Sequence, residues 1–319
     1  MINEILGIHH LTAIAGEPQQ NVDFYTGLLG LRLVKLTVNF DDPGTYHLYF
    51  GDKLGRPGTI LTFFPWPGAH RGRRGTGQAT TVSFSVPEAS LGYWTERLKA
   101  HSVSFGAPRA RFDEEVLAFR DPDGLPLELV AHEETQDSTP CEDGSVPREY
   151  ALRRFFGVTL SEASAGPTAS FLTGTLGFRP AAESGARARF AVGADGAGSY
   201  VDVLSLPSEP NGRVAVGTVH HVAWRTPTNE EQVAWRERLA GAGLQVTPVV
   251  DRKYFRSIYF REPGGVLFEI ATDPPGFTVD ENPEQLGAHL VLPPWLEIER
   301  PRIEGALPPL HLPEPARAQ

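Results

Sequence analysis

The sequence predicts an α+β fold of four βαβββ units, and three observations lead there. Motifs recur at fixed offsets along the 319 residues. Each recurrence opens on residues that alternate at period two, as a half-buried strand does. Each then passes into a stretch with helical spacing and on into short strands.

The repeats set the register. Trp94-Thr-Glu-Arg-Leu98 and Trp235-Arg-Glu-Arg-Leu239 stand 141 residues apart, as do Phe119-Arg-Asp-Pro-Asp-Gly124 and Phe260-Arg-Glu-Pro-Gly-Gly265. Glu128 and Glu269 keep the same offset. Phe24-Tyr-Thr-Gly-Leu-Leu-Gly-Leu-Arg32 matches Phe171-Leu-Thr-Gly-Thr-Leu-Gly-Phe-Arg179 at 147. The chain is therefore a duplicated half, joined in the polar, Pro-bearing stretch Glu133 to Glu149.

Within each half two units follow one another. The opening strands are predicted at Ile8 to Ile14, Thr80 to Val86, Phe155 to Leu160 and Val219 to Thr226. Helices follow at Asn21 to Leu29, Leu91 to Ala100, Ala169 to Leu176 and Glu230 to Ala240, each ending near a Gly or small residue. Short strands come next, among them Val116 to Phe119, Leu125 to Val130, Ser257 to Phe260 and Val266 to Ala271, with Pro and Gly in the turns. The expected domains are residues 1–140, residues 150–273, and a Pro-rich tail over 274–319. That tail has no period and is expected to lie extended over the domains or to be partly disordered.

Composition narrows the function. A net charge of -10 argues against nucleic acid or an anionic membrane as partner, because either needs a basic surface. Arg71-Gly-Arg-Arg74 is basic but short. Cys141 is the one cysteine, which excludes a disulfide scaffold. Met1 to Gly7 lacks the basic start and apolar run of a signal peptide, and no stretch approaches the roughly 18 apolar residues of a spanning helix. A cytoplasmic protein is expected, with a homo-oligomer left open.

Strand alternation assigns faces. Leu11 and Ala13 share one face, so His10 and Thr12 share the other. Val222 and Trp224 are apolar, which sets His221, Ala223 and Arg225 opposite. Val266, Phe268 and Ile270 face the helices, so Leu267, Glu269 and Ala271 face away, and Ser257 and Tyr259 join them by the same parity. His9 and His220 fall on the helix side, near strand starts where a ring still reaches the rim.

Two His and one Glu thus share the non-helix side of the sheets. They have the composition of a two-His, one-carboxylate facial triad, which holds Fe(II) and leaves positions free for substrate and dioxygen. Mn(II) accepts the same ligands. Thr81 and Gly157 stand at the corresponding places in the other units, and neither is a good ligand. Glu128 has no His in register and reads as a structural leftover. Glu269 lies among apolar neighbours, where an unpaired carboxylate is costly.

At these residues the sequence resembles the vicinal oxygen chelate (glyoxalase/extradiol dioxygenase) superfamily, and within it the hydroquinone-type ring-cleaving dioxygenases. The likeness runs through Gly7-Ile-His-His-Leu-Thr-Ala, Val38-Asn-Phe-Asp-Asp-Pro-Gly-Thr-Tyr-His-Leu-Tyr-Phe50, Pro57-Gly-Thr-Ile-Leu-Thr-Phe-Phe-Pro65, Val219-His-His-Val-Ala-Trp and Pro263-Gly-Gly-Val-Leu-Phe-Glu269. It implies units paired into two half-open barrels, the first and fourth around iron on His10, His221 and Glu269, the second and third forming a metal-free mate. It also implies supporting roles for His9, Thr12, His220, Arg252 and Tyr259, with Arg256 a second arginine close to Arg252.

The expected activity is metal-dependent cleavage of a hydroquinone- or catechol-like ring, with a small aromatic diol and dioxygen as partners. Tyr259 would transfer a proton, His9 or His220, at an ordinary pKa near 6.5, would act as base, and Arg252 would steady developing charge. Thr12 and His47 are candidate substrate contacts. Trp224 is assigned to the core, and so is Trp66. Two other readings stand beside this one: a glyoxalase-like lyase or isomerase, which wants an extra carboxylate ligand, and a binding protein of the same fold without catalysis.

Overall fold

The computed structural model of the chain describes residues 4–132, 144–193 and 198–312. Cys141, most of the expected join after Glu133, and the last seven residues of the tail lie outside the described residues. Each unit runs strand, helix, three strands. The first has β1 (Ile8–Ala15), β2 (Arg32–Asn39), β3 (Asp42–Gly51) and β4 (Ile60–Pro65); the second has β5 (Gln78–Val86), β6 (Arg109–Arg111), β7 (Glu114–Arg120) and β8 (Pro126–Ala131). The third has β9 (Phe155–Glu162), β10 (Arg179–Ser184), β11 (Arg187–Ala191) and β12 (Tyr200–Ser205); the fourth has β13 (Thr218–Thr226), β14 (Val250–Asp251), β15 (Arg256–Arg261) and β16 (Leu267–Thr272).

The strands form two eight-stranded, curled half-barrel sheets. One has the order β14-β15-β16-β13-β1-β4-β3-β2 and joins the first unit to the fourth; the other, β10-β11-β12-β9-β5-β8-β7-β6, joins the second to the third. Antiparallel pairs β1·β13 and β5·β9 are the seams. Pairing therefore crosses the sequence halves.

The repeated Trp-x-x-x-Leu motif explains how helices cover the sheets. Residues four apart lie on one helix face, and Trp94 and Leu98 of the helix Leu91–Ala100 are fully buried, as are Trp235 and Leu239 of the helix Asn229–Gly241. Burial of such side chains contributes about 1.5–3 kcal/mol each. Gln232 on the same helix donates to the carbonyls of Arg256 and Ile270, both at 2.7 Å, tying helix to sheet. Trp224 meets Phe178 and Phe268 edge-on in the core, as its parity predicts.

Two helices differ from expectation. The first begins at Pro18 and gives way to a wider turn over Asp23–Leu28, where the Leu29 amide reaches back to the Phe24 carbonyl at 3.1 Å. The third spans Ala165–Gly174, because Pro167 is tolerated in a first turn where no amide is needed. The tail is more regular than its lack of period implies. Proline opens short helical turns at Pro283–Gln285 and Arg300–Ala306, and Phe277, Leu286, Leu292, Leu296, Ile303 and Leu307 are buried. Fully buried Lys35 of β2 fastens it, bonding Asp280 at 2.6 Å and Glu281. Among the described residues no helix is long and apolar enough to cross a membrane.

Candidate metal centre

The seam between β1 and β13 builds the site. In register, His10 faces Ala223 and Thr12 faces His221, and β16 then lies beside β13 with Glu269 against Ala223. One row across the sheet therefore reads Tyr259, Glu269, Ala223, His10. The small methyl of Ala223 leaves room between Glu269 and His10. His10, His221 and Glu269 are all buried and their donor atoms gather in one place.

The spacing of those atoms fits an ion. His10 Nε2 and His221 Nε2 are 3.2 Å apart, and Glu269 Oε2 is 3.4 Å and 3.0 Å from them. Donors about 2.1 Å from a common centre stand about 3.0 Å apart on octahedral corners and about 3.4 Å apart on tetrahedral ones. Glu269 Oε2 is buried and receives no well-formed hydrogen bond from the protein. A buried carboxylate oxygen is costly without a partner, so the residues present fit a divalent cation. Burial opposes ionisation of Glu269, but the two imidazoles prevail and hold it well below the ordinary carboxylate range. Burial keeps His221 below its ordinary value, in the neutral form a metal ligand needs.

Two β-bulges complete the arrangement. Register skips His9 on β1 and His220 on β13. A bulge re-aims a side chain against strict alternation, and each skipped ring turns to its neighbour: His9 Nδ1 lies 2.9 Å from His10 Nδ1, His220 Nδ1 2.8 Å from His221 Nδ1. The outer nitrogen of each ligand ring is thereby held, and its Nε2 points inward. Ser257 donates to the other oxygen of Glu269 at 2.5 Å. The ordinary pKa expected for His9 and His220 does not hold. Burial first, then the adjacent histidine, pushes His9 well down and His220 down to about 3.

Beside the triad opens a cavity of about 300 Å³, lined by His10, Thr12, His47, Tyr49, Phe64, Trp66, His220, His221, Arg252, Phe255 and Tyr259 among others. His47 bridges Thr62 and Tyr49 at 2.8 Å each, and Thr12 meets Thr62 at 2.9 Å. Tyr259 accepts from Arg252 Nε at 3.2 Å; burial and then the charge of Glu269 raise its pKa, so it stays protonated. Arg256, the other arginine nearby, is exposed.

Sequence reading placed His10, His221, Glu269, Thr12, His47, His220, Arg252 and Tyr259 in this neighbourhood, and the structure brings them together. His9 is not on the cavity wall but behind His10, against Phe255. Trp66, assigned to packing, lines the cavity instead and is 36% exposed. Tyr49, Phe64 and Phe255 were missed. Tyr49 shares the parity of His47, so period two could have found it. Phe255 lies outside any strand, where parity says nothing.

The second sheet repeats the plan without the ligands. Its bulges skip Thr80 and Phe156, which sets Thr81 at the place of His221 and Gly157 at the place of His10. Glu128 is held by Arg111 at 2.7 and 2.5 Å and by Ser83 at 2.8 Å. A Cβ on Gly157 would stand 2.6 Å from the Tyr200 carbonyl, so backbone packing excludes a ligand there. An opening of about 1000 Å³ on this sheet is the larger of the two, yet it holds no such donor cluster among the described residues.

Comparison with known proteins agrees with this architecture. Residues 7–129 and 158–270 match the family described as Glyoxalase/Bleomycin resistance protein/Dioxygenase superfamily. The chain belongs to that superfamily. Within it, the chain is 46% identical over 314 residues to MhqO of Bacillus subtilis (strain 168), which carries the name of a ring-cleaving dioxygenase, with 98% of this chain and 99% of the relative covered. It is 38% identical over 299 residues to a chlorohydroquinone/hydroquinone 1,2-dioxygenase of Sphingobium indicum, covering 91% and 92%. A Bacillus subtilis crystal structure bearing the name of a dioxygenase superposes with a TM-score of 0.93 at 46% identity, over 98% of this chain and 99% of that one.

Proposed function

We propose that this superfamily member is an Fe(II)-dependent, extradiol-type ring-cleaving dioxygenase acting on a hydroquinone-like aromatic diol, with Mn(II) the alternative ion for the same ligands. The observation that carries the proposal is the meeting of His10, His221 and Glu269 at the edge of an aromatic-lined cavity. The names of the relatives support the substrate class. Both atoms of dioxygen enter the ring-opened product, so no external reductant is consumed.

Bound iron would supply a path for electrons from ring to dioxygen. The protein's own groups do the rest. Phe255, Phe64 and Trp66 enclose a flat ring and displace water from it. Thr12 and His47 offer polar contacts to the diol, with His47 held in place by Thr62 and Tyr49. His220 borders the cavity as a neutral imidazole, a polar group that can hydrogen-bond the diol, while His9 orients the His10 ring. Tyr259, protonated and aimed by Arg252, donates to the oxygen on which charge develops, and Arg252 adds its positive charge nearby.

A lyase of the same fold wants a fourth, carboxylate ligand, and among the described residues the donor cluster has the three members named. No observation favours that reading or the binding-only one. Anaerobic loading with Fe(II), followed by oxygen-uptake assays with methylhydroquinone and catechol, tests the proposal. The expected result is one dioxygen consumed per ring opened. Absence of uptake with either diol, alongside isomerase activity on a thiohemiacetal, would overturn it.

A further inference from the structure

The two hollows hold the same arginine and the same glutamate in opposite relationships. Arg111 and Arg252 stand at equivalent positions, 141 residues apart, as do Glu128 and Glu269. Strand pairing supports the equivalence: Ala118 faces Glu128 on β7·β8 where Tyr259 faces Glu269 on β15·β16. Even the residues after the two arginines, Phe112 and Lys253, share a left-handed backbone, with φ of 53° and 68°. The turn that presents the guanidinium is thus built alike in both halves.

In the second sheet the arginine lies on the glutamate. Arg111 donates to both oxygens of Glu128, at 2.7 and 2.5 Å, and fills the place that corresponds to the donor cluster. In the first sheet Arg252 donates instead to Asp41 Oδ2 at 2.9 Å and to the Tyr259 hydroxyl at 3.2 Å. Glu269 is left to the two imidazoles and Ser257. Tyr259 has no counterpart hydroxyl, since Ala118 occupies that place. Asp41 sits in the turn between β2 and β3, and the corresponding turn between Ser184 and Arg187 carries Gly185 and Ala186, with no carboxylate.

A paired guanidinium and carboxylate form strong, two-pronged, charge-assisted bonds, and a buried carboxylate without a cation is a strong attractor. Unless something else engages it, the arginine of the first sheet is therefore a competitor for the ligand Glu269. We propose that Asp41 is a positioning residue that draws Arg252 across the cavity mouth and keeps it off Glu269, so that the donor cluster stays open to a metal ion. This rests on the reading of His10, His221 and Glu269 as a metal site. Asp41 touches none of the three ligands and borders the cavity at its mouth; it acts on the donor cluster through Arg252.

The test is a metal-affinity cycle, measured by anaerobic calorimetry with Fe(II) and repeated with Mn(II), on the full chain. The side chain of Asp41 is 72% exposed, so its replacement does not threaten folding, and a thermal melt checks this. Asp41→Ala is expected to weaken metal binding by about tenfold or more. Asp41→Ala combined with Arg252→Ala is expected to return affinity to within about twofold of the parent, because the competitor is gone. Parent-like affinity in Asp41→Ala, or a double variant as weak as the single one, would overturn the proposal. A parent that binds neither ion would overturn the underlying metal reading, and this inference with it.

Discussion

His10 Nε2 and His221 Nε2 face each other at 3.2 Å although 211 residues separate them in the chain. The antiparallel seam of β1 and β13 makes that meeting, and Glu269 Oε2 closes the triangle from the next strand. Because three strands from two distant units supply one donor each, metal binding and the joining of those units are linked. A metal that binds only the folded state raises its stability by mass action. Saturating Fe(II) or Mn(II) is therefore expected to raise the melting temperature of the parent protein and to leave those of His10→Ala, His221→Ala and Glu269→Ala unchanged. Differential scanning calorimetry with and without metal reads the effect.

Ser257 fixes the oxygen of Glu269 that does not face the histidines. Ser257→Ala frees the carboxylate to rotate, and loss of such an outer partner costs metal affinity about 10- to 100-fold. Calorimetric titration checks the direction. A variant that binds as tightly as the parent would mean that packing alone orients Glu269.

Gly157 stands where the metal-bearing sheet has His10, and the Tyr200 carbonyl crosses 2.6 Å from where a Cβ would lie. Gly157→Ala must push two paired backbones apart. The expected cost is about 1–3 kcal/mol, the range for overpacking, measured by urea unfolding.

Glu162 is buried at the end of β9, and burial, followed by repulsion from Glu262, raises its pKa to about 8. Unfolded, it would ionise near 4.5. Between pH about 4.5 and about 8 the native state thus holds a proton that the unfolded chain releases, so this group lowers stability as pH rises through that window. Glu162→Gln removes the ionisation. The variant is expected to exceed the parent in stability at pH 8 by about 1–3 kcal/mol and to match it more closely at pH 5, as read from urea unfolding at both values.

Much of this was legible because duplication and alternation are both periodic signals. The Trp-x-x-x-Leu repeat located two covering helices, and period two put His10, His221, Glu269 and Tyr259 on one face. Parity failed where the backbone departs from it. His9 and His220 sit at bulges, and a bulge depends on the partner strand's register rather than on local pattern. Phe255 follows the left-handed Lys253, outside any alternation. Asp41 reaches Arg252 from another unit, a relationship visible only once β2, β3 and β14 are placed. The tail was misjudged in part because its turns open on proline and are stabilised by contacts such as Lys35 with Asp280, not by a period of their own.

Anomalous diffraction at the iron edge, from crystals of the protein loaded anaerobically with one equivalent of Fe(II), examines the central claim most directly. The expected result is one peak at bonding distance from His10 Nε2, His221 Nε2 and Glu269 Oε2 together. A fully occupied peak elsewhere in the molecule, or one bonded to neither imidazole, would contradict it.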